Sequence, residues 1–89
     1  MKLSFPNPSR SFDPSKNRIH FWGYDKTIEI SFFVELDALK RLCPAMSSVE
    51  AGFLQAFDSA RDRIYEAAEK NYRGGTKRSF AYVLTEKDF

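Results

Sequence analysis

The chain of 89 residues carries 14 lysines and arginines against 12 aspartates and glutamates, so its formal net charge at neutral pH is +2. This weak positive charge does not by itself indicate nucleic acid or a membrane surface as the partner. The length predicts one domain over residues 1–89, and no apolar run approaches the roughly 18 residues that a membrane span needs. Cys43 is the only cysteine, which excludes an internal disulfide and a thiolate metal site and favours the reducing cytoplasm.

The chain begins with a segment that proline interrupts. Pro6 and Pro8 predict an extended N-terminal segment over residues 1–9. Residues 10–12 then suit a short edge strand, because residues 13–17 (DPSKN) have the composition of a reverse turn that leads into another strand.

Two stretches of alternating character predict a β-hairpin over residues 18–22 and 27–35, joined by a four-residue loop at residues 23–26. With Trp22 opposite Thr27, the apolar side chains share one face, which we expect to meet a helix: Ile19, Phe21, Ile28, Ile30, Phe32 and Val34. The opposite face, called the open face below, is polar apart from two aromatic residues: Arg18, His20, Trp22, Glu29, Ser31, Phe33 and Glu35.

A long amphipathic helix is predicted over residues 48–73, because residues recur there at steps of three and four to form one apolar stripe: Phe53, Phe57, Ala60, Ile64, Ala67 or Ala68, and Asn71 or Tyr72. Ser47 followed by Glu50 has the spacing of a capping box, and Gly74 suits the helix end. Before this helix, residues 37–42 predict one or two helical turns that Pro44 ends.

The last alternating stretch predicts a fourth strand over residues 77–85, with Phe80, Tyr82 and Leu84 on one side. The order β-β-β-α-α-β therefore predicts a two-layer α+β fold, in which a mostly antiparallel sheet of about four strands packs against the long helix. Whether the last strand lies beside the first or the third strand is left open.

Four stretches resemble a known family: residues 18–25 (RIHFWGYD), 29–39 (EISFFVELDAL) and 51–64 (AGFLQAFDSARDRI), and the closing Asp88 and Phe89. They are similar to the small bacterial family called domain of unknown function 1488, and the resemblance covers nearly the whole chain. It implies a short, single-domain cytoplasmic protein from a proteobacterium. It implies no activity and no catalytic residue, because none is established for that family.

Residues that carry chemistry are few. His20 is the only histidine, and its place beside Arg18 and Trp22 suits either a solvated strand histidine or part of a binding surface. Cys43 has no recognisable base near it in the sequence, which favours an inert thiol over a nucleophile. The sequence therefore predicts no metal, no cofactor, no catalytic residue and no enzyme.

The densest positive cluster consists of Arg73, Lys77 and Arg78, around two glycines. A glycine-rich basic stretch can hold phosphate, but the known phosphate loops precede a helix, whereas this stretch follows one. The glycines are therefore interpreted as a helix stop and a turn.

Trp22 and Phe33 are the less ordinary feature, because two aromatic residues on one small sheet face can form a binding patch. The alternative is that the N-terminal segment folds back and covers them with Phe5 or Phe12. Our leading hypothesis is a non-enzymatic interaction module that forms a homodimer through this sheet face or edge, without a membrane.

The alternative hypothesis is a weak nucleic-acid-binding protein. In it, Trp22, Phe33 or Tyr24 would stack on bases while cations contact phosphate: Arg18, Arg73, Lys77 and Arg78.

Overall fold

The computed structural model describes residues 3–74 and 81–89, with only the backbone for residues 73 and 74. The elements follow in the order β1 Arg10–Asp13, β2 Arg18–Asp25, β3 Ile28–Glu35, α1 Leu36–Leu42, α2 Glu50–Ser59, α3 Arg61–Gly74, β4 Ala81–Leu84 and a 3-10 turn at Glu86–Asp88. The sheet is mostly antiparallel and helices pack against it, so the predicted α+β fold class is confirmed. In the described part of the chain, no helix is both long enough and apolar enough to cross a membrane.

The described strands form one sheet in the order β1-β2-β3-β4. The first three strands are antiparallel neighbours, and β4 pairs in parallel with β3 after a crossover through the helices. The last strand therefore lies beside β3, the position that the sequence left open. It is described from Ala81 to Leu84, and residues 77–80 of the predicted strand lie outside the described residues.

The register of the hairpin differs from the prediction. Trp22 pairs with Ser31 and not with Thr27, because β2 runs on to Asp25 and a tight turn at Lys26, with a φ of 58°, replaces the predicted loop. The shift from Thr27 to Ser31 is an even number of residues, so every side chain keeps its predicted face. Ile28, at the strand end, is nevertheless 65% exposed and does not join the core.

The predicted long helix is two helices, α2 and α3, that meet at Ala60. The amide of Ala60 donates to the carbonyl oxygens of both Ala56, at 3.0 Å, and Phe57, at 3.2 Å. Its ψ of 14° departs from the regular helical value, so the helix ends at this tightened turn and α3 begins beyond it.

The predicted capping box at Ser47 is wrong. Helix α2 begins at Glu50, and its N-cap is Val49, whose side chain makes no capping hydrogen bond. Ser47 lies instead against Gly52, where a Cβ atom would stand 2.5 Å from the carbonyl oxygen of Ser47. The close approach of these two backbones places Ser47 outside the capping position.

The core lies between the sheet and the helices. Phe21 and Phe32 from the sheet have no exposed surface, and neither have Phe57 of α2 and Ile64 of α3. The ring centroids of Phe21 and Phe57 are 5.2 Å apart. This packing confirms that the apolar stripe of the helical region faces the sheet.

The N-terminal segment packs on the helix-facing side of the sheet. Ser4 forms two backbone hydrogen bonds with Tyr24, and the ring of Phe5 stacks on Tyr65 with centroids 4.0 Å apart. Gly23 makes room for this ring, because a Cβ atom there would lie 2.8 Å from Cε1 of Phe5. Phe12 contacts a helix residue too, so neither ring covers Trp22 and Phe33, and that alternative is wrong.

Candidate functional site

Four side chains on the open face of the sheet form one continuous cluster, called the open-face cluster below: Arg18, His20, Trp22 and Phe33. The guanidinium carbon of Arg18 lies 3.6 Å from the ring centroid of Phe33. The His20 ring stacks on Phe33 at 4.4 Å and lies 4.2 Å from Trp22. The face that the sequence predicts thus joins all four residues in one series of contacts, from Arg18 through Phe33 and His20 to Trp22.

The strand pairing explains how these residues meet. His20 lies directly opposite Phe33 in the antiparallel pair of β2 and β3, while Arg18 and Trp22 are its neighbours at steps of two on the same strand. On β4, Val83 pairs with Phe33 and is 36% exposed, which extends the apolar surface toward the sheet edge. The helices pack on the other face, so the cluster is only half-buried.

Charged residues surround the cluster at both ends of the hairpin. The Nε atom of Arg18 lies 3.4 Å from Oδ2 of Asp13, and Glu35 is the cross-strand neighbour of Arg18. Ser15 donates to the Asp13 carboxylate at 2.7 Å, and this hydrogen bond is the main cause that lowers the pKa of Asp13. This end of the face therefore carries a paired cation and two carboxylates.

At the other end, the Tyr24 hydroxyl donates to Oε2 of Glu29 at 2.7 Å, which raises the pKa of Tyr24. Exposed lysines stand in the two turns that flank β2. Together with Arg18 of the cluster itself, the two ends of the hairpin hold three cations and three carboxylates: Lys16, Arg18 and Lys26, and Asp13, Glu29 and Glu35. The open face thus has balanced charge around an aromatic centre.

His20 is the titratable group at the centre. Its Nε2 atom is buried and has no hydrogen-bond partner among the described residues. Burial lowers the pKa of His20 and the Arg18 charge lowers it further, against the weaker opposite effects of Glu29 and Asp13. The imidazole is therefore neutral at neutral pH.

The predicted basic cluster is not tested. Lys77 and Arg78 lie outside the described residues, and only the backbone of Arg73 is described, at the end of α3. Their contribution to a binding surface stays a prediction. Within residues 3–74 and 81–89, no group of three or more histidine, cysteine, aspartate or glutamate residues is arranged to hold a metal ion.

Two polar contacts far apart in the sequence were not predicted. Asp58 of α2 accepts hydrogen bonds from Arg10 of β1, at 2.8 and 3.0 Å, and from Arg61 of α3. Partial burial raises the pKa of Asp58, but these hydrogen bonds outweigh it and hold the pKa below its usual value. The contacts join the sheet edge to the junction of the two helices, which is a structural role.

The second contact joins the hairpin to the end of α3. Asp25 is 8% exposed, and the Tyr72 hydroxyl donates to its Oδ2 atom at 2.6 Å. This hydrogen bond raises the pKa of Tyr72 to about 12. No pattern in the sequence indicated this contact, because the two residues are separated by 47 positions.

Comparison with known proteins gives one family and one solved structure. The sequence profile of the family described as "Protein of unknown function (DUF1488)" matches residues 3–84. A crystal structure of a protein of unknown function from this family, from Shewanella loihica PV-4, is similar with a TM-score of 0.82 and 20% identity, and the match covers 97% of this chain and 96% of that chain. This likeness shows the shared fold alone, and no curated protein matches the sequence.

Proposed function

This chain belongs to the DUF1488 family, which is described as being of unknown function, and we propose that it is a non-enzymatic interaction module that self-associates through the open face of its sheet. The open-face cluster is the observation that supports this proposal. Its aromatic rings stack on one another on the side of the sheet opposite the helices. An aromatic centre within a charged rim is the usual composition of a protein-binding patch.

The chemistry of the cluster favours binding over catalysis. The rings and the guanidinium group contact each other through their faces, and such contacts offer apolar area and cation-π attraction. The Nε2 atom of His20 is buried, so this nitrogen cannot reach a proton of a bound substrate as a general base must. A single cysteine is consistent with action in the cytoplasm, which is part of the proposal.

A second copy of the chain is the partner that the charges favour. The balanced rim does not repel an identical surface, and homo-oligomers are most often closed twofold pairs. With the strands of the two copies antiparallel across the contact, Arg18 of one copy lies near Glu29 of the other. Charge pairs of this kind set the orientation, while the stacked aromatic residues supply the buried apolar area.

Trp22 provides the direct test. The Trp22→Ala variant removes a central aromatic anchor, so we expect the dimer to weaken by roughly 2 kcal/mol or more, about 30-fold in the dissociation constant. The monomer should stay folded, because Trp22 points away from the core. Sedimentation velocity across a concentration series measures the dissociation constant of the dimer, and circular dichroism shows whether the variant is folded.

The matched control is Ile28→Ala. Ile28 belongs to the same hairpin and is 65% exposed, but its strand position places it on the other face. We expect this variant to associate as the native chain does. A native chain that stays monomeric at high micromolar concentration contradicts the proposal. If both variants lose association equally, the dimer contact does not lie on the open face.

Binding of single-stranded nucleic acid is the second candidate, favoured by the half-buried aromatic rings beside Arg18 on a sheet surface. The carboxylates around the cluster oppose it, because they repel phosphate, and Arg18 already contacts Asp13. We expect no measurable binding at physiological salt. Submicromolar binding that weakens with added salt and with Trp22→Ala would reverse the order of the two candidates.

A further inference from the structure

We infer that His20 makes the self-association of this chain depend on pH: two copies join when the His20 imidazole is neutral and separate when it is protonated. The inference rests on the function proposed above and assigns the regulation of the same surface. It predicts a binding surface that responds to pH in the range where histidine titrates.

The position of the ring is the first argument. His20 lies between Trp22 and Phe33, at 4.2 and 4.4 Å, and its Nε2 atom is already shielded from solvent in one copy. A neutral imidazole fits this apolar gap, although one ring nitrogen lacks a partner. A protonated ring would carry a second N–H donor and a positive charge into the same gap, where no described group accepts the Nε2 proton.

The neighbouring charges are the second argument. On β2 the nearest charge is that of Arg18, whose guanidinium stacks on the same Phe33 ring. The carboxylates of other strands whose charge acts on the ring are Asp13 of β1 and Glu29 of β3, and Glu35 lies opposite Arg18. Asp13 already pairs with Arg18, and the attraction of both carboxylates for a protonated ring is weaker than the opposing effects of burial and Arg18.

The strand β4 contributes no charge here, because Ala81 and Val83 pair along this face. Protonation thus places two cations against one Phe33 ring. Cation-π attraction is weak in a site of this exposure, and the Arg18 guanidinium already makes this contact with the ring.

The sign of the pH effect follows from linkage. Burial and Arg18 hold the pKa of His20 below its usual value of 6.5 in the folded chain, so protons bind more weakly there than in the unfolded chain. Closing a second copy over the ring removes more water and lowers the pKa further. Association therefore releases protons, and it weakens as the pH falls.

The expected effect of pH on the dissociation constant is large because each dimer contains two His20 rings. If the dimer forms only from neutral rings, the dissociation constant rises about 100-fold for each pH unit below the pKa of His20 in the separate copy. If only one ring had to be neutral, the dissociation constant would rise about tenfold for each pH unit. The slope thus reports whether both copies contribute the same residue.

The experiment measures the dissociation constant of the full chain by sedimentation at pH 7.5, 6.5 and 5.5, with circular dichroism at each pH to show that the monomer is folded. The matched variant is His20→Phe, which keeps a ring in the cluster and removes the titrating group. We expect the native chain to dissociate as the pH falls, and the variant to associate equally across this range.

A second measurement does not depend on the variant. His20 is the only histidine, so its ring protons give one set of resonances that can be titrated by NMR without assignment. We expect a lower pKa at high protein concentration than at low concentration, because binding and protonation are reciprocal. Association at pH 7.5 that does not change by pH 5.5, or a pKa independent of concentration, overturns the inference and leaves the proposed function intact. Absence of association at every pH overturns both.

Discussion

Replacement of Phe57 by alanine tests how the helices hold the sheet. Phe57 has no exposed surface, its ring centroid lies 5.2 Å from that of Phe21, and the guanidinium carbon of Arg61 lies 5.0 Å from the ring. A buried Phe→Ala change costs about 3 to 5 kcal/mol, through lost transfer free energy and the cavity that remains. A domain of this size is stable by roughly 4 to 13 kcal/mol, so the variant loses a large share of its free energy of unfolding.

Urea unfolding followed by circular dichroism measures this loss, with Trp22 fluorescence as a second probe. Phe57→Leu is the graded variant, because it keeps most of the volume and should cost less than about 1.5 kcal/mol. Ile28→Ala is the surface control, within about 0.5 kcal/mol of the native chain. If Phe57→Ala loses no more than the surface control, then Phe57 does not fill the space between α2 and the sheet, and the packing described above is wrong.

Two other changes test contacts that depend on the fold. Tyr72→Phe leaves the buried Asp25 carboxylate without its hydroxyl donor, so we expect a loss of about 1 to 3 kcal/mol in urea unfolding. Because the pKa of Tyr72 is raised to about 12, this contribution is complete below pH 10.0, its ordinary value, and is lost as the pH rises toward 12, a loss that the variant should lack. Gly52→Ala should lower the melting temperature although alanine is the better helix former, because the new Cβ would lie 2.5 Å from the carbonyl oxygen of Ser47. A stabilised Gly52→Ala chain would show that Ser47 does not lie there.

The alternation of residues was enough to predict both faces of the sheet. A strand has a side-chain period of two, so the assignment of Phe21 and Phe32 to the core did not depend on the register. The register itself was wrong, because the sequence between the strands has no glycine at the position where Lys26 takes a positive φ. The residue types in this segment therefore did not indicate that the turn lies at Lys26.

In the helical region, too, the buried face was predictable from the sequence, whereas the local geometry was not. The spacing of Phe57 and Ile64 predicted the buried stripe, and both residues are fully buried. The break at Ala60 was not predictable from propensity, since alanine is the residue that best continues a helix. Tertiary packing decides this point, as it decides that Ser47 contacts Gly52 and does not cap the helix.

The candidate site was predictable as a set of residues and not as a structure. The alternation placed Trp22 and Phe33 on one face, but the order of contacts from Arg18 through Phe33 to His20 depends on the observed register. With Trp22 opposite Thr27, as the sequence suggested, His20 would have faced Glu29. The stacked cluster thus follows from the four-residue correction at the turn, the shift from Thr27 to Ser31.

The difference between the two faces of the sheet is the reason for which we propose a partner on the open face. On the helix side, the layer of helices covers Phe21 and Phe32 completely. A sheet face that only meets water usually carries polar residues, because exposed rings gain nothing there. Here Trp22 and Phe33 stand on that face at the centre of the sheet, and they bury one another only in part. Rings placed in this way gain the remaining apolar contact when a second layer closes over them, and an identical sheet with the same balanced rim can supply that layer.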